Sequence, residues 1–273
     1  MTTPSTPDPE LIGYEVVDRV AVLSMRKAPV NALDDAMLDA LHGGLRRADA
    51  DREVGAIVLT SGLEKVYCGG MDLRWAATTD VLSMRAFIRR LYIGTMDVQY
   101  GLSKPTIAAV NAPARGAGMT ISVTCDMVVA ADDADLGYPE INVGFIAAIH
   151  NAHLPRQIGR AKAFEMLIGG EPMSAAEAER RGLINYAVPR AQVREKAIDL
   201  GRALAAKSPQ LMALARSAFV RQYDLDYRRS VENQVEALCT AFSSPDGQEA
   251  LRAFVEKRRP VWAAPAARSV VES

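Results

Sequence analysis

The alternation of hydrophobic and polar positions predicts strands and helices in turn along the first half of the chain. Two β-rich runs in GYEVVDRVAVLSM flank Asp18 and Arg19, which predicts a hairpin. The segment NALDDAMLDALHGGLRRADAD carries apolar side chains at helical spacing, and Asp34 stands where an N-cap belongs. Three apolar runs of strand length follow, namely VGAIVLTS, PTIAAVN and DMVVAA. Because helical patterns separate these buried strands, we expect an α/β fold of repeated strand–strand–helix units.

Helical patterns become longer and more frequent towards the C-terminus. A polar–apolar helix is expected over residues 80–101, and a capping box, formed by Ser174 and Glu177, opens another that stops at Gly182. From Arg190 the pattern is almost entirely helical and is interrupted only by prolines. This region is expected to cover the core or a neighbouring subunit.

The chain is therefore expected to have three parts. Residues 1–10 are polar and proline-rich and are interpreted as a disordered tail, since they lack the apolar stretch of a signal peptide. Residues 11–189 form the core, and residues 190–273 form the helical C-terminal region.

Composition narrows the possible partners and the cellular setting. The formal net charge of −1 argues against nucleic acid as the main partner, because phosphate-binding surfaces usually need a basic excess. Three well-separated cysteines make a disulfide framework improbable, which fits a reducing, cytoplasmic setting. No apolar run reaches the length needed to span a bilayer, so we expect no membrane partner.

Two glycine-bearing segments follow predicted buried strands and lead into predicted helices. They are VYCGGMDL (66–73) and NAPARGAGMT (111–120). Glycine allows close backbone approach, and a helix N-terminus has unpaired N–H groups, so two such loops could stabilise an oxyanion. From these residues alone, tight strand-to-helix turns explain the pattern as well. Neither segment matches a dinucleotide-binding or P-loop motif.

A single carboxylate lies in the mostly apolar stretch LGYPEINVGF (136–145). Glu140 is either an exposed residue in a turn after Pro139 or a proton-transfer group in an apolar pocket. The pattern of this stretch leaves both readings open.

Five segments in order, APVNALD, VYCGGMDL, KPTIAAVNAPARGAGMTISVTCD, LGYPEINVGF and AFVEKRRPVW, resemble the crotonase superfamily of enoyl-CoA hydratases and isomerases. The resemblance spans about residues 12–262. It implies a crotonase-like (ClpP/crotonase) α/β spiral of ββα units with a helical C-terminal region. It also implies an acyl-CoA substrate, no separate cofactor or metal, and a homotrimer or a hexamer made of two trimers.

The resemblance also assigns roles to individual residues. The backbone N–H groups of Met71 and Ala117 would hold the thioester oxygen as an enolate, and Glu140 would be the acid–base residue. Hydratases of this family have a second glutamate, and its position is Thr120 here. The residues expected to bind substrate are Gly69, Gly70, Arg74, Gly116, Gly118, Thr120, His150, Phe254 and Lys257.

The missing glutamate favours an isomerase, whose active-site pattern the chain resembles most closely. Moving a double bond from C3 to C2 needs one base that takes a proton at C2 and returns it at C4. A hydratase or another enolate-forming lyase, with His150 or Thr120 and water replacing the missing acid, is the first alternative. A non-catalytic acyl-CoA-binding protein is the second.

Two further side chains have open roles. His150 and His153 have the spacing of one helix face, although no third residue completes a metal site, and His150 could contact the substrate or pack in the core. Arg115 is either a surface charge or a contact for an acidic acyl group.

Overall fold

The computed structural model describes residues 10–263, except for the side chain of Tyr223. The predicted tail over residues 1–10 therefore lies almost wholly outside the described residues. Within the described part, no helix has both the length and the apolar character that crossing a membrane requires.

Strands and helices alternate through the first two thirds of the described chain, and helices fill the rest. In chain order the elements are β1 Ile12–Val17, β2 Val20–Met25, α1 Asp35–Ala50, β3 Ala56–Ser61, α2 Leu73–Ala76, α3 Val81–Arg89, α4 Thr95–Gly101, β4 Thr106–Val110, β5 Ala114–Arg115, α5 Ala117–Val123, β6 Met127–Ala131, β7 Asp135–Gly137, α6 His150–Ile158, α7 Arg160–Gly169, β8 Met173–Ser174, α8 Ala175–Arg180, β9 Tyr186–Val188, α9 Val193–Ala205, α10 Pro209–Arg221, α11 Tyr227–Ser243 and α12 Pro245–Val255.

The larger sheet has six strands in the order β1-β2-β3-β4-β6-β9. The β1–β2 pair is antiparallel, and the other pairs are parallel. The predicted hairpin is confirmed, with Asp18 and Arg19 at positive φ in its turn. Since helices cover both faces of this sheet, its central strands are buried and mainly hydrophobic, as the apolar runs predicted.

Alternate side chains of each central strand enter two separate clusters. In β2, Leu23 packs in the cluster that contains Leu41 of α1, whereas Val22 packs with Ile198 of α9. This division follows from the two-residue period of a strand. Helix α9 lies inside the predicted C-terminal region and yet covers the core sheet, so the division at residue 190 stays a prediction.

The smaller sheet consists of β5, β7 and β8, with β5 and β7 parallel. Isolated parallel bridges extend its pairing to Cys68 with Ala114 and to Leu33 with Met71. The chain enters the larger sheet at β4 and the smaller sheet at β5, forms α5, and then repeats the two strands as β6 and β7. The predicted α/β architecture of repeated units is thereby confirmed.

Local signals in the sequence mark several helix ends correctly. Asp34 caps α1 by accepting a hydrogen bond from the Met37 N–H at 2.9 Å. Ser174 likewise caps α8, but the Glu177 carboxylate binds arginines of its own helix, so half of the predicted capping box forms. The helix predicted over residues 80–101 forms as α3 and α4 with a π-helical turn, Arg90–Gly94, between them.

A partly buried ion pair joins the C-terminal helices to the core. Arg216 of α10 is 6% exposed, and its Nε lies 2.7 Å from a carboxylate oxygen of Asp126, just before β6. The same guanidinium donates to the Leu102 carbonyl at 2.8 Å. Arg216 therefore fixes α10 against two loops at one edge of the sheet.

Candidate active site

Three loops that carry candidate residues leave the smaller sheet at the same edge. The parallel pairing places Cys68 beside Ala114 and Ala114 beside Leu136. Met71 and Ala117 each lie three residues beyond these positions, and Glu140 lies four residues beyond Leu136. Because parallel strands end at a common edge, the fold brings the two glycine loops and the Glu140 turn together.

Close backbone contacts hold the two glycine loops against each other. A Cβ on Gly118 would lie 2.5 Å from the Cys68 carbonyl oxygen, so only glycine fits there without movement. Gly70 has a φ of +98°, and a Cβ on it would lie 3.0 Å from the Arg115 carbonyl oxygen and 3.5 Å from the Ala117 nitrogen. The backbone of Gly70 is therefore next to the N-terminus of α5.

The N–H groups of Met71 and Ala117 are both available to a ligand at this junction. Leu33 pairs with Gly70 and Asp72, so Met71 turns its own N–H away from Leu33. Ala117 is the first residue of α5, where the N–H has no partner within the helix. Neither group has a hydrogen-bond partner among residues 10–263. Two such donors and the positive end of a short helix suit an anionic oxygen.

Two polar side chains stabilise the first glycine loop through hydrogen bonds to its backbone and to adjacent residues. Asn31 is buried at a φ of +51° and donates to the Ser61 hydroxyl at 2.8 Å and to the Tyr67 carbonyl at 2.9 Å. Asp72 caps α2 by accepting from the Arg74 N–H at 2.9 Å. Asp72 is thus a structural hydrogen-bond acceptor. The sequence pattern did not predict the structural role of Asn31, because an asparagine after a valine has no distinctive pattern.

Glu140 lies in the 3₁₀ turn Pro139–Val143, which is separated from β7 only by Tyr138. Its Oε1 lies beside Gly116, because a Cβ built on Gly116 would be 3.1 Å from this oxygen. Its Oε2 is buried and has no hydrogen-bond partner among the described residues. Burial raises the pKa of this carboxyl above its ordinary value. Glu140 is therefore a half-buried carboxylate in a turn beside the second glycine loop, with one oxygen shielded from water, and it is not the exposed residue of the first alternative.

Two tyrosines that the sequence analysis did not single out lie close to this carboxylate. Burial, and then the charge of Glu140, raise the pKa of Tyr92 to about 12. The same two causes raise the pKa of Tyr138, which is fully buried. Tyr92 belongs to the π-helical turn, a feature often found at functional sites. Both phenols therefore stay neutral beside Glu140.

Thr120, at the position of the missing glutamate, is hydrogen-bonded to a histidine. Its Oγ1 lies 2.9 Å from Nε2 of His150, and both residues are almost wholly buried. His153 follows one turn later on α6, and its Nε2 lies 2.7 Å from Nδ1 of His150. The predicted shared face of His150 and His153 is confirmed. In residues 10–263, no group of three or more His, Cys, Asp or Glu side chains is arranged to hold a metal ion.

The remaining predicted residues lie at the rim or farther away. Gly69 and Arg74 are exposed at the first loop and in α2. Arg115 donates to the carbonyl and the carboxylate of Asp135, at 2.7 and 3.2 Å, so it is a paired surface charge. Phe254 is 83% exposed on α12, and Lys257 follows that helix. A CoA contact by these last two residues stays a prediction, because the resemblance places it across a subunit boundary.

A family model described as enoyl-CoA hydratase/isomerase matches residues 15–265. The chain belongs to the enoyl-CoA hydratase/isomerase family. A probable enoyl-CoA hydratase of Bacillus subtilis is 33% identical over 251 residues, which cover 91% of this chain and 97% of that relative. A probable mitochondrial enoyl-CoA hydratase of Dictyostelium discoideum is 31% identical over 246 residues, covering 89% and 87%.

Solved structures confirm the crotonase fold of this family. An enoyl-CoA hydratase from Bacillus anthracis superposes with a TM-score of 0.86 at 29% identity, over 93% of this chain and all of that one. The human enoyl-CoA hydratase domain-containing protein 3 superposes with a TM-score of 0.83 at 27% identity, over 92% of this chain and all of that one. The names of these relatives refer to hydratases, so family membership alone fits hydration as well as isomerisation.

Proposed function

We propose that this enzyme moves the double bond of a 3-enoyl-CoA to the C2 position, with Glu140 as its only catalytic carboxylate. One observation carries the proposal. The site has a Glu140 oxygen that is buried without a partner, and it has Thr120, bound to His150, where the resemblance places a second glutamate. A threonine hydroxyl bound to a neutral histidine cannot act as the strong base that a second glutamate provides. One carboxylate is enough for proton transfer from C2 to C4.

The proposed reaction begins when the Glu140 carboxylate removes a proton from C2. The electrons move into the thioester, and its oxygen becomes an enolate that accepts hydrogen bonds from the N–H groups of Met71 and Ala117. The protonated carboxyl then gives the proton to C4, the double bond forms between C2 and C3, and the enolate collapses. The raised pKa of Glu140 suits both steps, since the carboxyl must accept a proton and release it.

Hydration of a 2-enoyl-CoA is the second candidate, and the names of the relatives favour it. It requires a group other than Glu140 to hold or activate water. Thr120 is the nearest counterpart in position, because the family resemblance places it where hydratases carry their other glutamate. The two candidates share the enolate and the two N–H donors and differ in this second group.

The two reactions separate in one assay with purified protein. A 3-enoyl-CoA is supplied and its conversion to the conjugated 2-enoyl-CoA is followed by ultraviolet absorbance, while 3-hydroxyacyl-CoA formation from a 2-enoyl-CoA is followed by chromatography. We expect migration to be much faster than hydration. Rapid hydration with no migration would replace the isomerase proposal by the hydratase, and binding without either reaction would favour a non-catalytic acyl-CoA protein.

The pH dependence of kcat/KM tests the state of Glu140. The carboxylate must be ionised to accept the proton, so activity should fall as the pH falls through the pKa of Glu140 in the free enzyme. Since burial raises that pKa, the midpoint should lie above the ordinary glutamate value of 4.5. A midpoint at or below that value would contradict a desolvated catalytic base. Tyr92 and Tyr138, the other titratable groups at Glu140, stay neutral throughout this range.

We also propose that the C-terminal helices mediate the homotrimer or hexamer that the family resemblance implies. Along α11 the large apolar side chains follow a helical spacing and are exposed in the single chain, namely Val231, Val235, Leu238 and Phe242. Such a stripe is typical of a surface that another subunit covers.

The proposed substrate carries coenzyme A, so the proposal includes no separate cofactor.

A further inference from the structure

A chain of hydrogen bonds runs from the buried Thr120 to the protein surface. The Thr120 hydroxyl bonds to Nε2 of His150 at 2.9 Å, and Nδ1 of His150 bonds to Nε2 of His153 at 2.7 Å. His153 is itself partly exposed at the protein surface. Each side chain in this chain is thus joined to the next without a gap.

The central histidine is enclosed by the same residues that surround Glu140. His150 has no exposed surface, and its ring lies 4.1 Å from that of Tyr138 and 6.5 Å, edge-on, from that of Tyr92, measured between centroids. Burial holds the pKa of His150 well below its usual range and lowers that of His153. Both imidazoles are therefore neutral and carry one N–H each.

Two neutral imidazoles and one hydroxyl can be oriented along this chain in either direction. In one arrangement, His153 donates to His150, His150 donates to Thr120, and the hydroxyl proton of Thr120 points onward. In the other, Thr120 donates to His150 and His150 donates to His153. Reversing the whole chain moves one proton between its two ends while each imidazole stays neutral before and after the transfer.

The inner end of the chain is next to the proposed enolate site. Thr120 follows Ala117 by three residues on α5, so the two lie on the same helix face. The Thr120 N–H also donates to the carbonyl of Gly116, the residue beside Glu140 Oε1. The hydroxyl therefore lies one helical turn from a donor of the proposed oxyanion hole.

We propose that Thr120, His150 and His153 form a proton relay that gives this site a second proton donor, beside the Glu140 base, and connects it to solvent. The proposal rests on the proposed enolate chemistry. In turnovers in which Glu140 takes the C2 proton and does not return it, the Thr120 hydroxyl donates its proton to the enolate carbon, and the Thr120 oxygen takes the Nε2 proton of His150. His150 Nδ1 takes the Nε2 proton of His153, and His153 regains a proton from water. Glu140 releases its own proton to water.

This relay has a consequence that a packing role for the histidines does not have. A proton removed by Glu140 can return to the same enolate, in which case no solvent hydrogen enters the acyl chain. A relay instead delivers a solvent-derived proton. The part of the deuterium incorporation from D2O that is lost when Thr120 or His153 is replaced therefore measures the relay separately from the removal of the C2 proton.

The test follows exchange of the C2 protons of butanoyl-CoA in D2O by proton NMR, with the intact enzyme. A saturated acyl-CoA forms the enolate without isomerisation or hydration. Thr120→Val removes the hydroxyl, while Thr120→Ser keeps it as the matched control. His153→Gln retains a side-chain amide that can hydrogen-bond to His150, but an amide cannot pass a proton on at neutral pH.

We expect Thr120→Val and His153→Gln to slow exchange by about 100-fold, the lower end of the contribution of a positioned general acid or base. Thr120→Ser should retain most of the exchange. Wild-type exchange rates in folded His153→Gln would overturn the relay while leaving the enolate chemistry intact. No exchange in the wild-type protein would also overturn the relay, and the migration assay with a 3-enoyl-CoA would then show whether the enolate chemistry remains. If Thr120→Val does not fold, the exchange rates of His153→Gln and Thr120→Ser still test the relay, because it predicts slow exchange in the first and nearly full exchange in the second.

Discussion

Replacing Glu140 by glutamine is expected to lower kcat for double-bond migration by about 1,000-fold, within the range for removal of a positioned general base. The amide has nearly the same shape as the carboxylate but cannot accept the C2 proton. Acyl-CoA affinity should be largely retained, because the two N–H donors and the glycine loops are unchanged. Stopped-flow or steady-state absorbance with a 3-enoyl-CoA gives kcat, and equilibrium titration with a saturated acyl-CoA gives the affinity.

Stability measurements separate this loss from unfolding. Burial raises the pKa of Glu140 in the folded protein, so its contribution to folding stability is present at low pH and is lost as the pH rises through that pKa. At neutral pH the glutamine variant should therefore be at least as stable as the parent in thermal or urea unfolding. Glu179→Gln, at an exposed position on α8, is the matched control and should keep full activity. Unchanged kcat in Glu140→Gln would overturn the catalytic role.

Replacing Gly118 by alanine is expected to lower kcat by about 100-fold or more, the cost of losing one oxyanion donor. A Cβ at this position would lie 2.5 Å from the Cys68 carbonyl oxygen and 2.9 Å from the Cys68 Cβ. Backbone cannot yield as a flexible side chain does, so the start of α5 must move away from the first glycine loop. On the proposed mechanism, the N–H groups of Ala117 and Met71 would then no longer reach the same thioester oxygen.

The matched control is Gly101→Ala, since a Cβ on Gly101 meets no atom within 4 Å. That variant should have wild-type kcat and stability. Circular dichroism and thermal unfolding establish whether Gly118→Ala is folded at the assay temperature, and kcat is then compared with the binding of a saturated acyl-CoA. Wild-type kcat in a folded Gly118→Ala protein would contradict the assignment of Ala117 and Met71 as the oxyanion donors.

The sequence determined most of the large-scale architecture because its signals are local and repeated. Apolar runs of strand length give the central strands β3, β4 and β6, and helix caps such as Asp34 and stops such as Gly182 mark helix ends through contacts within a few residues. Five collinear segments were enough to recognise the superfamily, which the family match and the solved structures confirm.

The residues of the candidate site could also be predicted from the sequence, but their burial and their hydrogen-bond partners could not. The sequence alone left Glu140 between an exposed turn and a buried proton-transfer group, because burial depends on residues far away in the chain. Tyr92 is one such residue, and it reaches the site through a π-helical turn that interrupts an otherwise ordinary helical pattern. The hydrogen bond between Thr120 and His150 joins residues 30 apart and has no sequence signature.

The sequence by itself therefore determined the α/β fold and the two glycine loops, since these depend on periodicity, on caps and on glycine positions, and the resemblance of five segments identified the family. Only the tertiary structure decided that one oxygen of Glu140 is buried without a partner, that Arg115 is paired with Asp135, and that Thr120 is hydrogen-bonded to a pair of histidines. The physical reason is that desolvation and hydrogen-bond partners are set by parallel strand pairing between distant segments, which a one-dimensional pattern does not record.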